Sequence, residues 1–111
     1  MKKGKTMNRI LEFNVKSQII NKDATCDFEN IVSGTKNYLI AEFHFNEDWE
    51  GFKKVAVFKR TMNEFPAIIE NGRCIIPEDA LTWKEFGVYV VGQKDDVKVK
   101  TNEIKIEQVV N

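Results

Sequence analysis

Long apolar runs and histidine are both scarce in this sequence, and each scarcity argues against a class of protein. The longest uninterrupted apolar run has four residues, whereas a membrane-spanning helix needs about 20. The N-terminal region also lacks the apolar core of a signal peptide. The single histidine, His44, falls on the polar side of a predicted strand and leaves little material for a histidine-based nucleophile or metal site. We therefore expect no membrane partner, and the cytoplasm as the compartment of synthesis.

The sequence has only two cysteines, Cys26 and Cys74. They are too few for a disulfide framework and too far apart for a metal knuckle. We interpret them as two buried thiols that act as small hydrophobic residues, with a bridge between them as the alternative.

Sequence signatures of catalysis are also missing. No glycine-rich phosphate loop, zinc knuckle or G-x-S-x-G elbow occurs. Adjacent acidic residues fall in predicted turns, where carboxylates normally face water, at Glu47-Asp48, Glu78-Asp79 and Asp95-Asp96. We therefore predict no catalytic residue, no cofactor and no metal, and a protein that is not an enzyme.

Net charge is absent as well, because 17 basic and 17 acidic residues cancel. The long-range field that attracts proteins to nucleic acid is therefore missing. Basic residues do alternate with aromatic ones near Phe52 and Phe58, but the core needs those rings, so we predict no nucleic-acid partner. The local basic excess at Lys2, Lys3 and Lys5 predicts a flexible basic leader at residues 1–7, followed by a single domain at residues 8–111.

Branched residues dominate the apolar part of the composition. Val and Ile number 22, against 8 for Ala and Leu, and branched side chains favour strands. Turn signals recur about every ten residues, and no segment is long enough for a βαβ crossover helix. We therefore predict an all-β protein, a two-sheet antiparallel β-sandwich of the immunoglobulin-like class, with at most one short helical turn, at residues 77–81.

Strands are predicted from period-2 alternation and from the turns between them. Asn71-Gly72 predicts a tight hairpin. Near the C-terminus the apolar positions change from odd to even numbers, so the chain must bend or change sheets at residues 101–103. The predicted strands cover residues 8–15, 17–21, 38–46, 55–61, 65–70, 73–76, 86–93 and 97–101, followed by a last strand around 104–106.

The rest of the chain is organised around residues 48–61. This stretch begins with Trp49, turns at Gly51 and continues into an apolar strand that ends near Phe58. Trp49 and Phe58 are predicted to fill the core. Trp83 and Tyr89 are the best candidates for exposed aromatic rings that bind a sugar or a protein partner, and Tyr38 is a further candidate for a sugar. Simple packing of Trp83 and Tyr89 is favoured over such a role.

Six motifs in fixed order give the sequence a family resemblance that covers residues 39–109. It resembles a group of small proteins and N-terminal domains from phages and prophages of Gram-positive bacteria. The motifs are Phe43-His44-Phe45, Asp48-Trp49-Glu50-Gly51-Phe52, Lys54-Val55-Ala56-Val57-Phe58, Gly72-Arg73-Cys74-Ile75-Ile76-Pro77, Phe86-Gly87-Val88-Tyr89-Val90-Val91-Gly92 and Thr101-Asn102.

The resemblance implies an immunoglobulin-like domain in the baseplate, tail, fibre attachment or head surface of a phage particle, without catalytic residues. It implies structural roles for the matched positions. Trp49 would plug the core, Gly51 and Gly92 would allow tight backbone paths, Pro77 would end a strand, and Thr101-Asn102 would organise the predicted bend.

Two functions follow as hypotheses. The first is a non-enzymatic virion component whose partners are other virion proteins or further copies of itself. The alternative is a carbohydrate-binding module that recognises a host cell-wall polysaccharide through Tyr38, Trp83 or Tyr89. Binding modules and structural domains share this type of fold, so the fold alone does not decide between them.

Overall fold

A computed structural model describes residues 7–110 of the chain. The predicted basic leader lies outside the described residues except for Met7, whose side chain is exposed. Within the described range the chain forms nine strands: β1 Arg9–Lys16, β2 Ile19–Lys22, β3 Leu39–Phe45, β4 Lys53–Arg60, β5 Asn63–Ile68, β6 Arg73–Ile75, β7 Glu85–Lys94, β8 Val97–Lys100 and β9 Ile104–Glu107.

The strands form two sheets, which confirms the predicted all-β sandwich. One sheet has four strands in the order β2-β1-β3-β6, and the other has five, in the order β5-β4-β7-β8 with β9 also paired to β7. β3 lies inside its sheet, and β4 lies in the opposite one.

One strand pair differs from the predicted antiparallel arrangement. β1 and β3 are parallel neighbours, with Arg9 opposite Leu39. The reason is that β2 folds back antiparallel on the other edge of β1. The connection at residues 23–38 then carries the chain around the N-terminal end of β1. β3 therefore begins level with Arg9, the first residue of β1.

The connection at residues 23–38 contains no strand. Its one ladder contact is an isolated parallel bridge between Val32 and Val109. This bridge ties the connection to the C-terminal end of the described chain.

The core lies between the sheets and is rich in aromatic rings. A continuous series of ring contacts runs through Phe13, Phe43, Phe45, Trp49 and Phe52, with successive centroids 5.3, 6.0, 5.3 and 5.9 Å apart. Burial of each large apolar side chain stabilises the fold by about 1.5–3 kcal/mol. The largest fully buried side chains are Trp49, Phe13, Phe58, Phe86, Leu11, Ile20, Ile31, Leu39, Ile76, Leu81, Ile106 and Val15.

The predicted change of apolar phase near residue 102 is a bulge. Val91 lies opposite Lys100, whereas Val88 lies opposite Ile104, so β8 and β9 together carry one more residue than β7 across this interval. Thr101 fills the gap, because its backbone N–H donates to the Val90 carbonyl oxygen and its hydroxyl oxygen accepts the Val90 N–H at 3.0 Å. The chain therefore bends within one sheet and does not change sheets.

The Asn71-Gly72 turn forms as predicted, with φ angles of 54° and 77°. Glu70 and Arg73 exchange both backbone hydrogen bonds across it. The predicted hairpin is shorter than expected, however, because β5 and β6 belong to different sheets. The turn therefore carries the chain from one layer of the sandwich to the other.

Two 3-10 turns are present in the described chain, one more than expected. The turn at Glu78–Leu81 matches the helical turn predicted at residues 77–81. The other, Glu47–Trp49, lies where the sequence indicated an ordinary turn. It is helical because the N–H groups of Trp49 and Glu50 donate to carbonyl oxygens three residues earlier.

Candidate interaction surface

Trp49 lies in the core with 2% of its surface exposed. Its indole N–H donates to the Ser17 carbonyl oxygen at 2.8 Å, so the polar atom of this large ring has a partner. Gly92 lies against the ring: a Cβ built on Gly92 would be 2.5 Å from Trp49 Cζ3. The resemblance implied that Gly92 allows a tight backbone path. In the structure, the absence of a side chain at Gly92 instead makes room for the Trp49 ring.

The other positions with predicted or implied structural roles have the following surroundings. Phe58 is fully buried, with its ring centroid 6.3 Å from that of Phe86. Gly51 has a φ of +81°, which disfavours any residue with a side chain. Pro77 follows β6 by two positions and has a φ of −59° at the start of the second 3-10 turn.

The three aromatic residues proposed for binding do not form one platform. Tyr38 precedes β3 and is 36% exposed, and Trp83 precedes β7 and is 38% exposed. Tyr89 is half-buried on the outer face of the five-stranded sheet. Among the described residues, none of the three contacts another aromatic ring.

Tyr89 is held in place by polar neighbours. Its hydroxyl donates to Glu64 Oε2 at 3.0 Å, and Lys100 Nζ lies 5.1 Å from its ring centroid. Burial raises the pKa of the Tyr89 hydroxyl, and the adjacent Glu64 carboxylate raises it further. The tyrosine therefore stays neutral and acts as a hydrogen-bond donor on this face.

Apolar side chains cover the centre of the same outer face. Two cross-strand rows lie side by side: Pro66, Val57 and Tyr89 form one, and Ile68, Val55 and Val91 form the other. We call these six residues the apolar band. Ile68 is 71% exposed, whereas Val57, enclosed by its neighbours, is only 7% exposed.

A groove of about 420 Å³ adjoins the apolar band. Val55 and Ile68 line it together with Phe45 and Phe52 from the region between the sheets. Apolar surface therefore continues from the outer face of the sheet into a concavity. Such a concavity is suited to the inserted side chain of a binding partner.

The charges around the apolar band are arranged unevenly. Beyond the Ile68 row, Lys53, Gln93 and Lys98 stand opposite one another across β4, β7 and β8; we call these three residues the basic row. In the described part of the chain, neither Lys53 nor Lys98 forms an ion pair.

At the other end of the apolar band, charges of opposite sign neutralise each other. Glu103 pairs with Lys59 at 3.2 Å and with Lys105 at 3.5 Å. Lys105 also lies 3.7 Å from Glu85. The face therefore has one basic end and one balanced end.

The residues of the apolar band lie in predicted strands, but the sequence did not predict the band as a surface. The sequence does contain a pattern that indicates this surface. Residues 55–58 and 88–91 are continuous apolar runs, which implies that both faces of these strands are apolar. In β5, Pro66 and Ile68 alternate with Phe65 and Ala67, so its outer face is apolar too.

The two cysteines are separate free thiols. Cys74 lies on β6 opposite Ala41, and burial raises the pKa of its thiol to about 12, so it behaves as a small apolar group. Cys26 is half-buried and its sulfur accepts the Glu12 backbone N–H at 3.3 Å. Both cysteines are only partly buried, whereas the sequence predicted two buried thiols.

A second, larger groove of about 720 Å³ lies between residues 23–30 and β9. Charged residues of both signs line it, including Lys22, Asp27 and Glu107. Gln108 forms part of the wall, and its side-chain N–H donates to the Trp83 carbonyl oxygen at 2.7 Å. This groove is far more polar than the one beside the apolar band.

Comparison with protein-family models gives no match, and comparison with curated proteins gives none either. Across residues 7–110, no helix is long and apolar enough to cross a membrane. The phage-protein resemblance therefore continues to rest on the ordered motifs in residues 39–109.

Proposed function

We propose that this protein is a non-enzymatic interaction domain of a phage particle, located in the baseplate, the tail or the head surface. It binds another virion protein through the apolar band. The observation that carries this proposal is the pair of aligned apolar rows on an outward sheet face, with Ile68 71% exposed.

The apolar band has the properties of a protein-binding surface. Single exposed apolar residues are common, but a contiguous apolar patch with a polar border marks an interaction site. Burial of such a patch contributes about 25 cal/mol per Å² of apolar area. Ile68 and the adjoining groove lie at one end of the band, where an inserted side chain would contact Phe45, Phe52 and Val55.

The border of the apolar band specifies the chemistry of the partner. The basic row offers two lysines without ion-pair partners next to the Ile68 row. A partner surface with a projecting apolar side chain and neighbouring carboxylates would satisfy both features. This combination favours another virion protein of that chemistry over a second copy of this chain.

The support for assigning the protein to a phage particle is the resemblance of its six ordered motifs to phage and prophage proteins. An antibody against the protein, applied to density-gradient-purified particles from an induced lysate, tests it. We expect a stoichiometric signal in the particles, with a copy number that separates a rare tail part from an abundant surface protein. Absence from particles while the protein is abundant in the lysate would contradict the proposal.

Recognition of a cell-wall polysaccharide is the second candidate, and the exposed rings of Tyr38 and Trp83 favour it. Aromatic faces open to solvent can stack on sugars, although Lys84 Nζ lies 5.2 Å from the Trp83 ring centroid. Calorimetry with solubilised host cell-wall polysaccharide tests this candidate. Binding that disappears in Trp83→Ala or Tyr38→Ala would support it, and no binding by the wild-type protein would exclude it.

A further inference from the structure

Three side chains of metal-ligand type meet on the outer face of the four-stranded sheet, on the opposite side of the sandwich from the apolar band. Glu12 lies on β1, His44 lies on β3, and Asp23 directly follows β2. One ligand-type atom from each residue lies within 4.8 Å of the other two. These residues are far apart in sequence, so no spacing motif predicts their meeting.

The fold brings the three residues together through two strand pairings. The parallel pairing of β1 and β3 places Asn14 opposite His44, and Glu12 Oε1 lies 2.8 Å from His44 Nε2. The antiparallel pairing of β1 and β2 delivers Asp23, whose backbone N–H donates to the Glu12 carbonyl oxygen at 3.0 Å. The backbone positions of all three residues are therefore fixed by ladder or adjacent hydrogen bonds.

The Asp23 carboxylate is oriented by its neighbours. Its Oδ1 accepts the Thr25 backbone N–H at 2.8 Å and the Thr25 hydroxyl at 2.6 Å. Its Oδ2 accepts only the Asn14 side-chain N–H, at 3.1 Å. Because each carboxylate oxygen offers two lone pairs, Oδ2 keeps one for a further partner.

The charges in this group are not balanced by lysine or arginine. In the described chain Asp23 forms no ion pair, and Glu12 forms one only with His44. By contrast Glu42, two positions before His44, pairs with Arg73 at 3.1 Å. Two adjacent carboxylates carry a negative charge that a divalent cation would neutralise.

We propose that Glu12, Asp23 and His44 form a binding site for a divalent transition-metal cation such as Zn²⁺. One imidazole nitrogen and two carboxylate oxygens are suitable ligands, and three protein ligands leave a fourth position for water. Tetrahedral coordination needs ligand atoms about 3.3 Å apart. Glu12 Oε1 and His44 Nε2, 2.8 Å apart, must therefore separate slightly, which their partly exposed side chains permit.

A bound cation would connect β1, β3 and the end of β2, and would thus stabilise the folded protein. We expect calorimetry of chelator-treated protein to detect one Zn²⁺ per chain. Co²⁺ should give the visible absorption of a nitrogen- and oxygen-ligated ion. Saturating Zn²⁺ should raise the melting temperature by about 4 °C or more.

Variants of two of the three ligands test the assignment. Glu12→Gln and His44→Ala should each weaken Zn²⁺ binding at least about tenfold, which corresponds to the loss of about 1.4 kcal/mol. Glu42→Gln is the matched control on the same sheet face and should bind as the wild-type protein does. Cys26→Ser, which removes the nearest thiol, should also retain binding.

Folding of each variant is checked by its melting temperature in chelator, where all should lie within a few degrees of the wild type. The proposal is contradicted if the wild-type protein does not bind Zn²⁺. It is equally contradicted if binding survives in His44→Ala and Glu12→Gln or disappears in Cys26→Ser alone. None of these outcomes affects the proposed virion function, because the apolar band lies on the other sheet.

Discussion

Trp49 donates its indole N–H to the backbone carbonyl oxygen of Ser17, 32 positions earlier in the chain, at 2.8 Å. The same serine donates its backbone N–H to Asn46 Oδ1 at 3.2 Å and its hydroxyl to Asp48 Oδ2 at 2.6 Å. The turn between β1 and β2 is therefore joined to the first 3-10 turn by three hydrogen bonds. This junction closes one end of the aromatic core.

Trp49→Phe should destabilise the protein by about 1–3 kcal/mol. The change removes ring volume from the core and leaves the Ser17 carbonyl oxygen without its donor. Urea denaturation followed by circular dichroism measures the difference. Trp83→Phe is the matched control and should change the free energy of unfolding by less than about 0.5 kcal/mol, since Trp83 is exposed. Equal effects of the two substitutions would contradict the assigned core role.

Gly92→Ala should destabilise the protein by about 1–3 kcal/mol, because the new methyl group would overlap the buried Trp49 and Phe52 rings. Gly87→Ala is the informative comparison. The Cβ at residue 87 meets the side chain of Glu103, which can rotate away. Thermal and urea unfolding of both variants should therefore give the larger loss for Gly92→Ala, and the reverse order would contradict this account of the tryptophan pocket.

Acidification should remove stability that depends on Asp48. The Ser17 hydroxyl and then the Asn46 amide hold the pKa of the Asp48 carboxyl below its usual value, which is about 3.9 in an unfolded chain. The unfolded state thus binds this proton at higher pH than the folded state does. The stability that the Asp48 carboxylate contributes is fully present above its unfolded-state pKa. This stability is lost as the pH falls through the lower pKa of the folded state.

Ser17→Ala should therefore reduce the difference between the free energies of unfolding at about pH 6 and about pH 2.5. Urea titrations at both pH values measure this difference. Thr35→Ala removes a hydroxyl that donates to the Val32 carbonyl oxygen, and it should leave the pH dependence unchanged. An unchanged pH dependence in Ser17→Ala would show that the Asp48 interaction does not act in this way.

The fold was largely predictable because most strands carry local information. Alternation located β1, β3, β7 and β8, and the change of apolar phase located the bulge before β9. The parallel pairing of β1 and β3 was not predictable. It depends on the path of residues 23–38, which have weak local preferences, and on which edge of β1 remains free after β2 has paired.

The two surfaces were harder to predict than the fold. The apolar band depends on the register that places Val55 beside Ile68 and Val91, and a single sequence does not reveal register between strands. The cluster of Glu12, Asp23 and His44 depends on the same kind of information. Tyr38 and Trp83, two of the candidate rings, are 36% and 38% exposed, but composition alone could not show that they remain apart from Tyr89.

We propose that the apolar band attaches this protein to a phage particle. Ile68→Glu places a carboxylate in the band, where it would be desolvated and would repel the carboxylates of the proposed partner. Ile75→Glu is the matched control, because Ile75 is 54% exposed on an edge strand of the opposite sheet. Both substitutions affect exposed side chains, so melting temperatures close to that of the wild type are expected.

The most direct measurement uses a lysogen from which the gene for this protein has been deleted and to which the wild-type protein, Ile68→Glu or Ile75→Glu is supplied. The amount of the supplied protein in purified particles is then measured. We predict that Ile68→Glu lowers the amount per particle about tenfold or more. The wild-type protein and Ile75→Glu should agree within about twofold. Particles that contain Ile68→Glu at the wild-type level would contradict the account.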